Sequence, residues 1–426
     1  MPARDTWPVA VVGAGAAGLT AAIFAARAGA RVLLLETRPA PGAKIRLSGG
    51  GRANVLPSQA EVSDFSTSGS KHALRKILLS WPLEEVRAFF EAELRIPLKT
   101  EPSGKVFPAS DRALDVAEAL LAECRRRGVE LVGEARVVEI SRAGGGVGGT
   151  PGAAGSPREA RATFLLRTAG GRVVAAERVV LATGGLSYPK TGSDGSGLEI
   201  ARALGHSVRE THPALVPLVA SDPSWRELAG IALRARLRAE RGGKTLEETE
   251  GDFLFTHRGF SGPAVLDLSR HFTHGASAGT ILRAAWAGRA APDWERLLGA
   301  QGRRSILGIV SDHLPRRLAE RLLALAGVPG SRTASELSRA ERRRAVEALA
   351  ACPLAVSGSE GYEKAEATAG GVPLEEVSPG TLESRIVPGL HLAGEILDAV
   401  GRIGGYNFLW AWTTGRAAGI GCREAP

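Results

Sequence analysis

The chain opens with two short apolar runs on either side of an apolar helix. Residues 10–12 are hydrophobic and β-prone, residues 19–28 are Ala-rich and helix-forming, and residues 31–35 are apolar again. A glycine-rich turn separates the first run from the helix, Gly29 stops the helix, and Glu36 closes the second run. Strand, helix and strand in that order make one βαβ unit. Further along, residues 84–93 and 113–127 read as helices, and Gly128 follows the second in the position of a C-cap glycine. Residues 130–140 and 162–167 read as strands. The Gly/Ala/Pro/Ser/Thr stretch 144–157 between them reads as a flexible loop joining a hairpin. Residues 178–181 form a buried-type strand that runs into Ala182-Thr183-Gly184-Gly185.

The pattern then changes. In residues 231–240, Leu233, Ala235, Leu237 and Ala239 alternate with Arg234, Arg236, Arg238 and Glu240. A period of two means a strand with one wet face. Gly242-Gly243 is a turn signal, so a partner strand is expected after it. From residue 293 to 350 the pattern is helical and charged. A short apolar strand returns at 390–393, and residues 405–419 read as a helix. The two ends share one style and the middle looks inserted.

Length and composition narrow the picture. A chain of 426 residues exceeds one ordinary core, so two or three domains are expected. No apolar run approaches the roughly 20 residues that cross a bilayer. The run 9–19 could pass for a signal peptide, but its regular glycines and the charged strand that follows argue against one. A cytoplasmic protein is the expectation. The net charge is +9, yet the arginines fall in small clusters such as 125–127 and 342–344 with acids nearby, and aromatics make up only 5%. Nucleic-acid binding needs a concentrated basic face, often with stacking rings, so it is not expected. Cys124, Cys352 and Cys422 are far apart and form no metal-ligand spacing, and no metal site is expected.

The chemistry lies in the glycine segments. Gly13-x-Gly15-x-x-Gly18 is a weak signal alone, but here it follows a strand, opens a helix and precedes Glu36 at the end of the next strand. The first glycine permits the turn. The second lets the backbone approach a pyrophosphate, and the third lets helix and strand pack closely. The helix N-terminus offers free N–H groups to phosphates, and Glu36 can accept hydrogen bonds from an adenosine ribose. A carboxylate there repels a 2′-phosphate, which argues against tightly bound NADP. FAD and NAD both fit this unit, and the next segment separates them. Lys44 through Asn54 places Ser48, Gly49, Gly50, Gly51 and Arg52 in sequence, an exposed anion-binding backbone that a long FAD molecule needs and an NAD dehydrogenase does not. Near the C-terminus, Gly394-Glu395 ends a strand and can set a carboxylate against ribityl hydroxyls. Gly404-Gly405 opens a helix whose N–H groups can face the flavin pyrimidine edge, where reduced flavin carries negative charge.

Residues 44–54, 182–197, 255–269 and 369–415 together closely resemble the BaiN-like (YhiN-like) family of NAD(P)/FAD-dependent oxidoreductases, in order and along nearly the whole chain. The most characteristic segments are Leu181-Ala182-Thr183-Gly184-Gly185-Leu186-Ser187-Tyr188-Pro189 and Phe255-Thr256-His257-Arg258-Gly259-Phe260-Ser261-Gly262-Pro263. The resemblance implies an α/β fold: a Rossmann-like two-dinucleotide FAD-binding domain, discontinuous over 1–190 and 366–426. It also implies an inserted antiparallel β-barrel-like domain over 191–290 and 350–365 and a small helical domain over 291–349. It implies tightly bound FAD, NAD(P)H as a transient reductant, and a small-molecule substrate. The cofactor contacts expected are Gly13, Gly15, Ala16, Ala17, Gly18, Glu36, Thr37, Lys44, Ser48, Gly49, Gly50, Gly51, Arg52, Asn54, Val137 and Val138. On the C-terminal side of the fold they continue with Ala182, Thr183, Gly184, Gly185, Gly394, Glu395, Asp398, Gly404, Gly405, Tyr406 and Asn407. One position departs: the family pattern has Cys after the Arg of the triple-glycine segment, where this chain has Ala53.

Hydride chemistry belongs to the flavin, and the protein binds, orients and polarises. The candidate catalytic residues are His257, Tyr188 and Arg402. His257 can protonate a substrate carbon or polarise a carbonyl, or else it anchors its own loop to a backbone carbonyl. Tyr188 can donate to a substrate or only shape the turn before Pro189. Arg402 suits an anionic substrate or the cofactor. Ser261 is a candidate helix cap, and His206 and His212 read as structural. The expected activity is hydride transfer through flavin to an unsaturated or carbonyl-conjugated small molecule. Two alternatives stand beside it: an FAD protein that acts on or docks to a macromolecule such as RNA, and an NAD-binding protein without flavin. No second strand–GxGxxG–helix unit is present for nicotinamide.

Overall fold

The computed structural model describes residues 6–142, 164–300 and 302–423. The expected loop 144–157 lies outside the described residues. The chain divides into two units, one from the described residues of Met1–Thr211 and Ala367–Pro426, the other from His212–Glu366.

In the first unit, β1 (Trp7–Val12) and β2 (Val32–Leu35) are almost wholly buried, as continuous apolar strands must be when both faces of a sheet are covered. They pair in parallel, Val9 opposite Val32 and Val12 opposite Leu35. Between them runs α1 (Ala16–Arg27), which ends where Gly29 takes φ +94°, a left-handed geometry that costs glycine little. The strand Val173–Leu181 lies on the other side of β1, and Glu130–Val132 lies beyond β2, both parallel. Leu390–Leu392 pairs in parallel with the end of Val173–Leu181, so the C-terminal part completes the same sheet. The antiparallel strands Phe164–Thr168 and Val137–Arg142 extend it through the other end of Val173–Leu181.

The C-terminal helix Tyr406–Gly421 lies against α1 at backbone contact. A Cβ on Gly415 would sit 2.3 Å from Ala17 O, and one on Gly419 would sit 2.4 Å from Ala21 O. Glycine against alanine brings the two helix axes close and seals α1 under a helix from the far end of the sequence.

The second unit is an antiparallel sheet of seven strands with helices over it. In Ala232–Arg241, Ala235, Leu237 and Ala239 are buried, while Arg234, Arg236 and Arg238 face out and pair with Glu248 and Glu250 of Lys244–Phe255. Gly242 and Gly243 have φ +56° and +76°, the left-handed pair a tight hairpin wants. Phe253, Phe255, Phe260 and Trp286 form an aromatic core, which continues into the helices Ala291–Ala300, Ile306–Ser311, Arg316–Leu325 and Arg339–Ala350.

Three local expectations need correction. The strand expected at 130–140 is two strands, broken where Glu134 takes φ +52° and Ala135 N turns to bond Glu36 O. The helix expected at 84–93 ends as Leu83–Ala88 and widens at Phe89–Glu93, with Leu94 N reaching Phe89 O five residues back. Ser261 does not cap the helix after it: Ser261 closes the strand Gly259–Ser261, and Gly262, at φ +94°, is the N-cap of Pro263–Leu268. Among the described residues no helix is long and apolar enough to cross a membrane.

Candidate functional site

The turn after β1 has three glycines, and they differ in what requires them. A Cβ on Gly13 would lie 2.5 Å from Ala182 O, and one on Gly18 would lie 1.8 Å from Gly13 O. Packing of the chain on itself demands both. Gly15 has φ −81°, which any residue adopts, and a Cβ there would meet nothing within 4 Å. Neither conformation nor packing explains Gly15. Open space at the N-cap of a buried helix with no side-chain cap and no acid in its first turn does, because an anion can approach the backbone there. Ala16 and Ala17 begin that helix. Glu36 is buried beside the turn: Ala14 N donates to Oε2 (2.6 Å) and Arg38 N to Oε1 (2.8 Å). Both bonds fix the carboxylate and leave acceptor capacity for further hydroxyls. Thr37 is exposed next to it; Val137 is buried and Val138 is exposed at the start of the strand Val137–Arg142.

The triple-glycine segment ends α2 (Ala43–Gly51). Ser48 leaves helical geometry at ψ 149°, and Gly49, Gly50 and Gly51 follow at φ +56°, +68° and +86°. All three are exposed. Gly49 is packed, with Phe107 Cε1 and Asn54 N each 3.1 Å from its would-be Cβ, whereas Gly50 and Gly51 face open space. Asn54 is buried, and its Oδ1 has no hydrogen-bond partner. Ala53 is fully buried at φ +58°.

Chain segments far apart in sequence meet at Glu395. Lys44 Nζ donates to Glu395 Oε2 (2.6 Å) and to Ser187 Oγ (2.8 Å), Ser187 Oγ donates to Glu395 Oε1, and Thr368 N donates to the same oxygen (2.9 Å). Thr368 Oγ1 accepts from Leu186 N (2.8 Å) and Ser187 N (3.1 Å). The small residues at 182–185 are needed because this strand end is crowded: a Cβ on Gly184 would lie 2.7 Å from Ser193 Oγ, and one on Gly185 would lie 2.5 Å from Thr368 Oγ1. Thr183 Oγ1 is buried without a partner. Thr368 and Ser187 were not singled out from the sequence. Ser187 sits inside a characteristic segment, and Thr368 directly precedes another, which were their only signals.

The C-terminal helix begins at Gly404 and Gly405, with φ +118° and +98°, and a Cβ on Gly405 would lie 2.5 Å from Leu56 C. Asn407 holds this entry from inside: Oδ1 accepts from Gly401 N (2.9 Å), and Nδ2 donates to Gly401 O (3.0 Å). Gly394 is likewise committed, its N–H to Thr414 Oγ1 and its carbonyl to Trp410 Nε1. Tyr406 meets Phe65 edge-on at 5.8 Å. The buried Asp398 carboxylate accepts from Ser68 Oγ (2.6 Å) and Arg209 Nη1 (2.7 Å). Arg402 is tied through its backbone N–H to Asp64 O (3.0 Å), with its guanidinium 3.6 Å from Asp64 Oδ1. Tyr188 takes φ +51°, a strained geometry for a tyrosine, and its carbonyl accepts from Thr191 N and Oγ1.

Residues 7–421 match the model described as HI0933-like protein Rossmann domain. The chain belongs to that family. It is 33% identical over 427 residues to a 3-dehydro-bile acid delta(4,6)-reductase of Clostridium scindens, covering 98% of this chain and 99% of the relative. It is also 33% identical over 411 residues to a ribosomal RNA dihydrouridine synthase of Escherichia coli, covering 95% of each. Among solved structures, a 3-ketosteroid-delta4-(5alpha)-dehydrogenase of Rhodococcus jostii shares the fold at TM-score 0.52 and 16% identity, over 100% of this chain and 98% of that one. A flavocytochrome c3 fumarate reductase shares it at TM-score 0.50 and 17% identity, over 99% and 78%. This HI0933-like chain is a flavin-dependent oxidoreductase with a Rossmann-type FAD-binding domain.

Histidines and cysteines complete the candidates of this HI0933-like protein. His257 is exposed on a turn of the second unit, and Thr256 holds that turn, its Oγ1 accepting from Arg258 N (3.2 Å) and Gly259 N (3.0 Å). His206 is buried in a Ser–His–Glu line, Nδ1 2.7 Å from Glu376 Oε2 and Nε2 2.8 Å from Ser384 Oγ. That serine is buried and already accepts from Ile386 N and Val387 N, so the line braces a loop and presents no nucleophile. His212 Nδ1 lies 2.9 Å from Thr273 Oγ1. Burial pushes the Cys124, Cys352 and Cys422 thiols up to about 12, which leaves them protonated and unreactive at neutral pH. Among the described residues no group of His, Cys, Asp and Glu could hold a metal ion.

Proposed function

We propose that this protein reduces a carbon–carbon double bond conjugated to a carbonyl in a small molecule, with FAD resident in the first unit and NAD(P)H as the source of electrons. FAD supplies the hydride-transfer chemistry. The chain's own contribution is binding and orientation. Gly15 and the first turn of α1, Ala16 and Ala17 included, receive the pyrophosphate, and Glu36 the adenosine ribose, with Thr37, Val137 and Val138 on the adenine side. Lys44, Ser48, Glu395 and the backbone of Gly49–Gly51 line the ribityl and flavin portion. The helix opening at Gly404 and Gly405 favours negative charge at the pyrimidine edge. Tyr188 and Arg402 are the first-unit candidates for substrate contact, and His257 is the candidate from the second unit.

The observation that carries the substrate class is the similarity, over 95% or more of this chain, to two relatives whose names describe one kind of reaction. A delta(4,6)-reductase acting on a 3-dehydro compound and a dihydrouridine synthase both saturate a double bond conjugated to a carbonyl. The test is anaerobic: reduce the protein-bound flavin, then add a panel of cyclic enones, 4-en-3-one steroids among them. Reoxidation of the flavin with formation of the saturated ketone is expected for at least one. A reduced flavin that reacts with oxygen but with no enone of the panel would sink the substrate class and keep the cofactor.

A second reading places the double bond in an RNA base. The dihydrouridine synthase relative, equal in identity to the bile acid reductase, and the net charge of +9 favour it. Against it, the basic row Arg234, Arg236 and Arg238 is met by Glu248 and Glu250. Phosphate contacts would make binding fall steeply with salt. Salt-dependent binding of the whole protein to a uridine-containing ribosomal RNA fragment, with dihydrouridine formed by the reduced enzyme, would favour this reading. Absence of both at low salt would remove it.

A further inference from the structure

Arg52 directly follows the three glycines, and its side chain is engaged by Asp111, Glu101 and Phe107. Nε and Nη2 donate to Asp111 Oδ1 (2.9 and 2.6 Å), and Nη2 also reaches Glu101 Oε1 (2.5 Å). The guanidinium carbon lies 4.1 Å from the centroid of the Phe107 ring. Lys99 bonds the other Asp111 oxygen. Arg52 and Lys99 against Glu101 and Asp111 make a set with no net charge, so the cluster has no surplus positive charge to offer a phosphate. All of Arg52's partners belong to the hairpin Leu98–Thr100/Lys105–Pro108 and the turns at its ends.

The loop itself needs a holder. Gly49, Gly50, Gly51 and Ala53 all have left-handed φ, +56°, +68°, +86° and +58°, which is no regular ladder geometry. Its backbone ties include Arg52 N to Ser48 O, Ala53 N to the same oxygen (3.0 Å) and, just beyond, Val55 N to Val106 O (2.9 Å). A planar guanidinium with two N–H groups on one carboxylate oxygen, shared with a second carboxylate and stacked on a ring, fixes direction as well as distance, unlike an ordinary surface pair.

We propose that Arg52 is a positioning residue: clamped by Asp111, Glu101 and Phe107, it holds the exposed N–H groups of Gly49–Gly51 where the cofactor needs them and does not itself touch the cofactor. The inference rests on the FAD reading above and reassigns a residue that the sequence places at the cofactor. The two roles make opposite predictions for the carboxylates. If Arg52 acts through the loop, Asp111→Asn and Glu101→Gln loosen the clamp and weaken FAD. If Arg52 binds a phosphate, the same changes free its charge and leave FAD binding equal or tighter.

The test uses full-length deflavinated protein, with FAD affinity read by flavin fluorescence and folding by apoprotein Tm. Arg52→Ala and the Glu101→Gln/Asp111→Asn double variant are each expected to weaken FAD by about tenfold, with Arg52→Lys recovering only part because an ammonium cannot fork. The visible flavin spectrum of the variants, saturated with FAD, should shift with the loosened loop. Loss in Arg52→Ala with unchanged or tighter binding in the carboxylate variants would overturn the proposal, and so would wild-type affinity in both. The Glu101→Gln single variant, on a half-exposed carboxylate, serves if the double variant fails to fold. A wild-type protein that takes up no FAD would instead remove the cofactor reading on which the proposal stands.

Discussion

Gly15 and Gly18 lie three residues apart in one turn and answer different needs. A methyl at Gly18 would sit 1.8 Å from Gly13 O, so Gly18→Ala is expected to cost more than about 3 kcal/mol or to prevent folding. A methyl at Gly15 meets nothing within 4 Å, so Gly15→Ala should cost only about 0.5–1 kcal/mol, the preference for glycine over alanine at a helix N-cap. Its main effect should fall on FAD affinity, by about tenfold or more. Thermal unfolding and flavin fluorescence titration on both variants check this, and a Gly15→Ala destabilised well beyond that range with normal FAD affinity would reverse the assignment. His391 gives a second residue-level prediction. It is buried, Nδ1 donates to Thr381 O (2.8 Å), Nε2 has no partner, and burial holds its pKa below the usual histidine value. The folded state therefore keeps the ring neutral while the unfolded chain takes up a proton below about pH 6.5. Stability should fall as pH drops from there towards the folded-state pKa, by at most about 1.4 kcal/mol per pH unit from this group. Tm measured from pH 7.5 to 5.5 should decline less steeply in His391→Gln, and equal slopes would contradict the account. The glycine fingerprint and Glu36 were legible because spacing and element context carry them. The side-chain commitments of Arg52, Asp398 and Asn407 were not. An exposed glycine-rich loop announces itself locally, whereas the partners of Arg52 and Asp398 lie tens to hundreds of residues away in sequence.

At the scale of elements, the contact between α1 and the C-terminal helix is the joint of the first unit. Both helices were legible from composition, but their contact was not, since Gly415 and Gly419 read only as small residues within an apolar helix. The close approach to Ala17 and Ala21 gives them a purpose. Gly415→Val would drive a branched side chain into Ala17 O, where even a Cβ would lie at 2.3 Å. Separation of the helices is expected, with a loss above about 3 kcal/mol or no folded protein, read by circular dichroism and Tm. A Gly415→Val variant with native Tm would show that the contact is looser than described. The elements that the sequence misdrew share a cause. At Glu134 and Gly262 the chain takes left-handed φ, and at 89–93 it widens a helical turn. Tertiary neighbours impose such choices, and hydrophobic periodicity does not encode them. The alternating strand 232–241 and its hairpin partner were legible because period two and a Gly-Gly turn are local signals.

For the whole molecule, the N-terminal strands and the short strand 390–392 lie in one sheet, so the likeness of the two ends of the sequence reflects a shared layer. The cofactor was legible because the glycine turn, with a strand before it and a helix after it, is a signal local in sequence. The substrate was not, because a substrate pocket is built from side chains scattered over the chain and leaves no spacing to read. All three cysteines are buried, and burial pushes their thiols up to about 12, while Ala53 stands where the family pattern has Cys. The most direct test of the central claim is a visible absorbance spectrum of the purified protein, followed by anaerobic addition of NADH and, separately, NADPH. The account predicts flavin bands that one of the two nucleotides bleaches. A folded, colourless protein that cannot be reconstituted with FAD would contradict it.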